Sequence, residues 1–310
     1  MKTYVIVVTY NGAHWIEKCF DSLINSNMPL TILAIDNASA DGTPEQIKKL
    51  FPQVELIETG ANLGFGKANN IGLIKALENK ADYVFLLNQD AWVEPDTIEK
   101  LIEISQLKPE FGILSPLHMN GNGSALDLNF SYYLSPDGCP NLISDIITKN
   151  INAIYETRFV NAAAWLLSNK CLTKVGGFDP IFPHYGEDDD YLNRTLYHGL
   201  KIGIAPHTRI YHDRICKLFS QLELDQNRLL ISNICQLKTY PNSFKFNLVM
   251  FIKEQIYILT SLLILRDISK FNARLKALIK TLFMIKRIKK AKEYFLTEGS
   301  VIMTAEKNNP

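Results

Sequence analysis

The chain lacks the features that would classify it at once. Its five cysteines (Cys19, Cys139, Cys171, Cys216, Cys235) form no C-x-x-C pair, and their odd count and wide spacing fit reduced, mostly buried thiols of a cytosolic protein. The first twelve residues hold one short apolar run, too short for a signal-peptide core, so secretion by that route is not expected. No internal repeat is present. Tyr10-Asn11-Gly12 stands after the first strand pattern in place of G-x-G-x-x-G, which disfavours a dinucleotide-binding oxidoreductase. Net charge is nearly absent too: 33 Lys+Arg against 32 Asp+Glu leave +1. With 47% hydrophobic and 21% charged residues, the composition excludes disorder, collagen and coiled coil for the 310 residues as a whole.

What is present begins with alternating strand and helix patterns over the first ~115 residues. Strands are expected at 4–9, 31–35, 54–59 and 83–87, and helices at about 14–26, 45–51 and 67–79. Continuous apolar strands separated by helices imply a mostly parallel α/β sheet covered on both faces, with ligands outside the carboxyl ends of the strands. Residues 116–157, rich in Asn, Gly, Ser and Pro, read as an irregular excursion. Regular patterns resume over 159–168, followed by helices near 172–175 and over 187–198, and short strands at 202–205 and 208–211.

Five segments carry polar residues suited to ligands. Residues 8–12 close the first strand, 36–43 the second, and 62–72 form a Gly-rich turn entering a helix; each alone is only what a tight turn requires. In the fourth, Leu86-Leu87-Asn88-Gln89-Asp90, an extended chain would point Asn88 and Asp90 the same way, toward an oxygen-liking cation such as Mg²⁺ or Mn²⁺. Asp96 suits the start of the next helix, which leaves Asp90 without a structural duty. The fifth is Gly176-Gly177-Phe178-Asp179-Pro180, followed by Glu187-Asp188-Asp189-Asp190 opening a predicted helix. One or two acids satisfy a helix dipole, at about 0.3–1 kcal/mol each. Four crowded ones point to a cation, a positive partner or a catalytic base.

Taken in order, these segments resemble the inverting family 2 of nucleotide-sugar glycosyltransferases, which have a GT-A fold. Within it they are most similar to bacterial rhamnosyltransferase-like members that build surface polysaccharide. The matching pieces are VVTYN, IDNASADGT, NLGFGKANNIG, LNQDAWV and the long stretch from VNAAAW through GGFD and GEDDD to RIYH, spanning residues 4 to about 212. The resemblance implies a GT-A catalytic domain over 1–215, with a mostly parallel sheet and helices on both faces; the chain beyond it reads as a helical basic extension over 216–310. It implies a dTDP- or UDP-sugar donor, with Tyr10 against the base and Asp36 on the pyrimidine edge. Asn11 and Asn62 would support base, ribose or phosphate, the turn at Gly64 would admit the ligand to backbone, and Lys67 would offset phosphate charge. Asp90 matches the last acid of the family's D-x-D metal motif, with Asn88 in the first acid's place, and His212 matches the position that completes the metal site. The plainer reading of His212 is a histidine hydrogen-bonded in a loop. Asp188 matches the catalytic base, Glu187 its orienting neighbour, and Asp190 a support of the helix start. A catalytically silent nucleotide-sugar-binding member is the alternative, kept open by Asn88.

The near-zero charge is a cancellation. Residues 238–292 hold 13 Lys+Arg and two acids, a local +11, and the remainder carries −10. Residues 246–265 are long enough to cross a bilayer, but Lys253 and Glu254 in the middle cost on the order of 3 kcal/mol each there, so spanning is not expected. Leu275, Leu278, Ile279, Leu282 and Ile285 recur at helical spacing among basic residues, which suits an anionic membrane surface. A helical pair packed on the catalytic domain would use the same pattern. No nucleic-acid motif accompanies the charge. The expectation is a cytoplasmic protein, peripheral at the inner face of the plasma membrane, acting on a glycan or lipid-linked acceptor.

Overall fold

Strand β1 (Thr3–Thr9) sends Tyr4 and Ile6 to one face of its sheet and Val5 and Val7 to the other, and all four are buried. Such alternation, apolar on both sides, is what a strand covered on both faces requires. The computed structural model describes residues 1–182, 184–213 and 226–297. Strands β2 (Thr31–Asp36), β3 (Glu55–Glu58) and β4 (Tyr83–Asn88) join β1 in parallel, in the order β3-β2-β1-β4. Helices α1 (Ala13–Ile24), α2 (Thr43–Leu50) and α3 (Phe65–Glu78) make the crossovers. The register pairs Thr9 with Asp36 and Val8 with Asn88, so the loops after β1, β2 and β4 emerge together at one carboxyl edge.

Beyond β4 the sheet changes direction. Short β5 (Ala91–Val93) and α4 (Thr97–Leu107) lead to β6 (Phe111–Asn120), and the chain then runs through α5 (Leu128–Tyr133), α6 (Leu142–Thr148) and β7 (Tyr155–Thr157). Strand β8 (Ala164–Ser168) inserts antiparallel between β4 and β6. After α7 (Asn169–Val175) and α8 (Glu187–Tyr197), β9 (Lys201–His212) lies parallel to β6 and antiparallel to β5 and β7.

Several sequence expectations are corrected here. Half of the 116–157 stretch is regular, in the end of β6, α5, α6 and β7, and its polar residues make caps and turns between these short elements. Within the regular pattern read over 159–168, strand β8 begins at Ala164. The two short strands at 202–205 and 208–211 are one strand, with a bulge that slips the register from Pro116↔Ala205 to Leu117↔Arg209. Asp96 occupies the N-cap position of α4 but makes no capping bond and pairs with Lys100 at 2.5 Å.

Helices α9 (Gln226–Lys238), α10 (Phe244–Ile264) and α11 (Ile268–Tyr294) gather a third apolar cluster, in which Ile234, Leu237, Phe251 and Ile288 pack with Ile181 and Phe182. The basic extension therefore packs on the catalytic region. On α11 the fully buried face is Ala273, Ala277, Thr281, Ile288 and Lys292, with Leu275, Leu278 and Ile285 half-buried and Ile279 and Leu282 exposed. Small residues let α11 approach α9 closely, so the larger apolar side chains fall to the flank and the outside. The expected boundary at 215/216 and Cys216 lie outside the described residues. Of the other cysteines, Cys19, Cys139 and Cys171 are buried, Cys235 is half-buried, and all four are free thiols.

Candidate functional site

Three loops at the carboxyl edge are tied to one another before any ligand is considered. Asn37 is buried and binds all three: its N–H donates to Thr9 O at 2.8 Å, its Oδ1 accepts from Leu63 N at 3.2 Å, and its Nδ2 donates to Gly64 O at 3.4 Å. Asn11 reaches the second loop twice, donating its N–H to Ser39 Oγ at 2.9 Å and accepting from Ala40 N at 2.9 Å. Asp41 crosses back to accept from Ala13 N at 3.0 Å, so the second loop caps α1. Asn62 closes the third turn by accepting from Gly64 N at 2.9 Å, and Gly64 itself takes φ 83°, a conformation that glycine adopts without steric cost.

On this frame Tyr10 is 46% exposed and is gripped through its backbone by Gln89, whose Oε1 accepts from Tyr10 N at 2.9 Å while its Nε2 donates to Tyr10 O at 3.0 Å. The sequence reading gave Gln89 and Asn37 no role; their amides sit beside motif residues and carry no signal of their own. Asn11, Asn62 and Lys67 are exposed at the same edge. Asp36, expected on the pyrimidine edge, is 1% exposed and accepts from Thr9 Oγ1 and from Ser39 N and Oγ, at 2.6–2.9 Å.

The Asn88–Asp90 pair is corrected in geometry. Strand β4 ends at Asn88, and Gln89 and Asp90 form a turn into β5, so the two side chains are not alternate positions of one strand. The turn carries Asp90 to the end of β9 instead, where its Oδ1 lies 3.3 Å from His212 Nε2. Asp127 approaches the other side of the ring, 3.6 Å from Nδ1. Asp127 lies in the stretch read as irregular and caps α5 through a bond from Phe130 N at 2.9 Å. Among the described residues no three His, Cys, Asp or Glu side chains form a closed cation cage.

The fifth segment is clamped to the third. Asn70 of α3 holds Phe178 with two bonds, donating Nδ2 to its O at 2.8 Å and accepting from its N at 2.7 Å. A Cβ on Gly66 would lie 3.0 Å from Phe178 Cβ and 3.6 Å from Glu187 Cβ, so the Gly-rich turn and the start of α8 share a wall. Gly186, at φ 83°, turns the chain into α8. Glu187 is buried, its Oε2 has no hydrogen-bond partner, and burial with the adjacent Asp188 charge pushes it up to about 8. Asp188 is half-buried and raised by burial, against backbone bonds that include one from Ala162. Because Asn88 N donates to Ala163 O at 2.9 Å, the Asp188 carboxylate is anchored next to the end of β4.

Asp190 turns the other way. Burial would raise it, but Lys238 Nζ at 2.6 Å and Arg194 Nε at 2.8 Å hold it below the usual carboxylate range. Lys238 also pairs with Asp179, where burial outweighs the single cation and the carboxyl is raised. Arg194 donates to Val175 O and Gly177 O, which fixes the Gly-Gly turn. The helix-start role expected for Asp190 is thus a four-residue ion network that reaches α9.

Residues 4–113 match the model for glycosyl transferase family 2. An N-acetylglucosaminyl-diphospho-decaprenol L-rhamnosyltransferase of Mycobacterium tuberculosis is 28% identical over 239 residues, covering 68% of this chain and 75% of that protein. S. aureus TarS 1-349 in complex with UDP superposes with TM-score 0.55 at 15% identity, over 96% of this chain and 90% of that one. In a longer TarS structure the match spans only 43% of that chain. The mannosyltransferase PcManGT from Pyrobaculum calidifontis, in complex with GDP-Man and Mn²⁺, gives TM-score 0.56 at 16% identity over 95% of this chain and 85% of that one. Residues 4–113 thus carry a family 2 glycosyltransferase domain within a GT-A fold, and the chain is a glycosyltransferase.

Proposed function

We propose that the enzyme is an inverting glycosyltransferase that moves a sugar, rhamnose by likeness to its relatives, from a dTDP- or UDP-sugar to a hydroxyl of a glycan or lipid-linked acceptor. The setting would be surface polysaccharide synthesis at the inner face of the membrane. The observation that carries this is the meeting of Asp90 with His212, and of Asp188 with Ala162, around the end of β4.

Tyr10, presented by Gln89, offers a face for the nucleotide base, and Asp36 holds the loop that frames it. Asn11, Asn62, Asn88, Lys67 and the Gly64 turn border the ribose and diphosphate. Asp188 accepts the proton of the acceptor hydroxyl as its oxygen bonds to the anomeric carbon. The bond from that carbon to the diphosphate oxygen breaks on the opposite face, and its electron pair leaves with the nucleoside diphosphate. Burial first and the Asp188 charge second push Glu187 up to about 8, which favours its neutral form beside Asp188.

A divalent ion fits the Asp90–His212 pair. Carboxylate oxygen and imidazole nitrogen suit Mg²⁺ or Mn²⁺. His212 Nδ1 is buried without a hydrogen bond and faces Asp127, a carboxylate placed to orient a ligating ring. When bound, the ion supplies charge neutralisation for the departing diphosphate. Asp90 and His212 would be the residues that hold the ion.

The test is a panel of dTDP- and UDP-sugars with and without Mg²⁺ or Mn²⁺, scored for nucleotide release. Release with at least one donor, accelerated by metal, is expected. No release and no saturable binding across the panel would refute the donor class.

A further inference from the structure

We infer that the end of the α10–α11 hairpin lies in the interfacial zone of an anionic lipid bilayer. This deepens the lipid-linked reading above by naming the surface that meets the membrane. Residues 256–272 contain no fully buried side chain, although ten of them are Ile, Leu, Tyr or Phe. Tyr257 is 73% exposed, Ile264 81%, Leu265 74% and Ile268 55%, and Phe283 on the next turns of α11 reaches 87%. Isolated exposed apolar residues are ordinary on a protein surface; a contiguous run of this size marks an interaction site.

Two features of the hairpin identify a bilayer as the occupant. The first is charge. Six basic and two acidic residues lie between 253 and 280, and Lys286, Arg287, Lys289 and Lys290 continue the excess along α11. An apolar face beside a lysine- and arginine-rich flank complements acyl chains beneath anionic headgroups.

The second is length. The 21 residues of α10 pass for a membrane span by length and hydropathy, but Asn247, Phe251 and Gln255 are buried against the protein. Asn247 donates to Leu237 O at 2.9 Å and to Thr239 O at 2.7 Å, which anchors the first half of the helix. The projecting part, residues 256–264, extends only about 13 Å at 1.5 Å per residue. A bilayer core is about 30 Å thick. The hairpin can therefore enter the headgroup and upper acyl region, about 5–10 Å deep, and cannot cross.

The experiment is flotation of the full chain with vesicles of phosphatidylcholine alone or of phosphatidylcholine with added anionic phosphatidylglycerol. No sugar donor is present, so the result is independent of the proposed chemistry. Wild type should float with anionic vesicles, less at high salt. Ile264→Asn/Leu265→Asn should reduce partitioning at least about tenfold, and Lys276→Gln/Lys280→Gln should reduce it and lessen the salt sensitivity. Leu265→Trp should show a blue-shifted emission on vesicle addition. Circular dichroism of each variant confirms that the fold is retained. Equal flotation of the Asn pair and wild type would overturn the inference. So would a failure of folded wild type to float, including one accompanied by self-association that the Asn pair abolishes, since the hairpin would then be covered by a second copy.

Discussion

Lys238→Met removes the cation that joins the C-terminal helices to the catalytic helix. In the native chain the Lys238 ammonium pairs with Asp179 and lies 2.6 Å from Asp190, and all three side chains are at most 2% exposed. With Arg194 the network holds two carboxylates and two cations, so methionine keeps the stem's bulk but leaves one negative charge in excess. The Coulomb attraction at such distances is large, yet desolvation of the ions offsets most of it. The relevant scale is the cost of stripping one partner from a buried pair, about 3–5 kcal/mol. Guanidinium unfolding followed by tryptophan fluorescence should show that loss; the Trp165 ring lies 5.8 Å from Tyr191, beside the network. Adding Asp179→Asn removes the excess charge and should recover at least about half of the loss, a coupling that independent sites would not show. In the single variant, lowering the pH should also narrow the deficit. Burial already raises Asp179, and its protonation neutralises the unpaired charge. A Lys238→Met variant within about 1 kcal/mol of wild type, the scale of an ordinary substitution, would refute the reasoning. A double variant no more stable than the single would do the same.

Other consequences are equally open to measurement. Burial first and neighbouring carboxylates second push Glu187 up to about 8 and Asp189 to about 7. Both lie above their unfolded values, so their stabilising contribution is full below about pH 4 and is lost as pH rises to about 8. Glu187→Gln should therefore match wild type in thermal melts near pH 4 and exceed it near pH 8; a constant offset would count against the assignment. A Cβ on Gly12 would stand 2.2 Å from Gln89 Oε1, so Gly12→Ala should displace the amide that holds Tyr10. The expected result is a several-fold rise in donor KM with kcat and stability little changed. If Asp90 and His212 hold the ion as proposed, Asp127→Asn should weaken Mn²⁺ binding about 10–100-fold, read by titration of the bound ion, because the carboxylate 3.6 Å from His212 Nδ1 is the group placed to accept from a ligating ring.

The parallel half of the fold was legible because three of its four strands are near-continuous apolar runs between turn residues, as in 4–9 and 83–87. The antiparallel half was not. Strand β8 inserts between β4 and β6 only after a long excursion, and no local pattern states that pairing. The candidate site divides in the same way. Asp90, His212, Glu187 and Asp188 stood out as polar residues in recurring motifs, and the sheet brings the first two to 3.3 Å. Asp127, Asn37, Gln89 and Asn70 act through contacts made across the chain, and amides in loops look alike until those contacts exist. The +11 of residues 238–292 was visible as charge, but two of its lysines are interior: Lys238 is spent on Asp179 and Asp190, and Lys292 donates to Lys238 O at 3.2 Å and to Thr239 O.

The most direct test of the chemistry is single-turnover transfer by Asp188→Asn beside wild type, with donor affinity and product configuration measured on the same preparations. The wild-type product should have inverted anomeric configuration. The variant should bind donor as wild type does and transfer at least about 10²-fold more slowly, the lower bound for losing a general base. Transfer by the variant near the wild-type rate, or a wild-type product of retained configuration, would contradict Asp188 as the base of an inverting displacement.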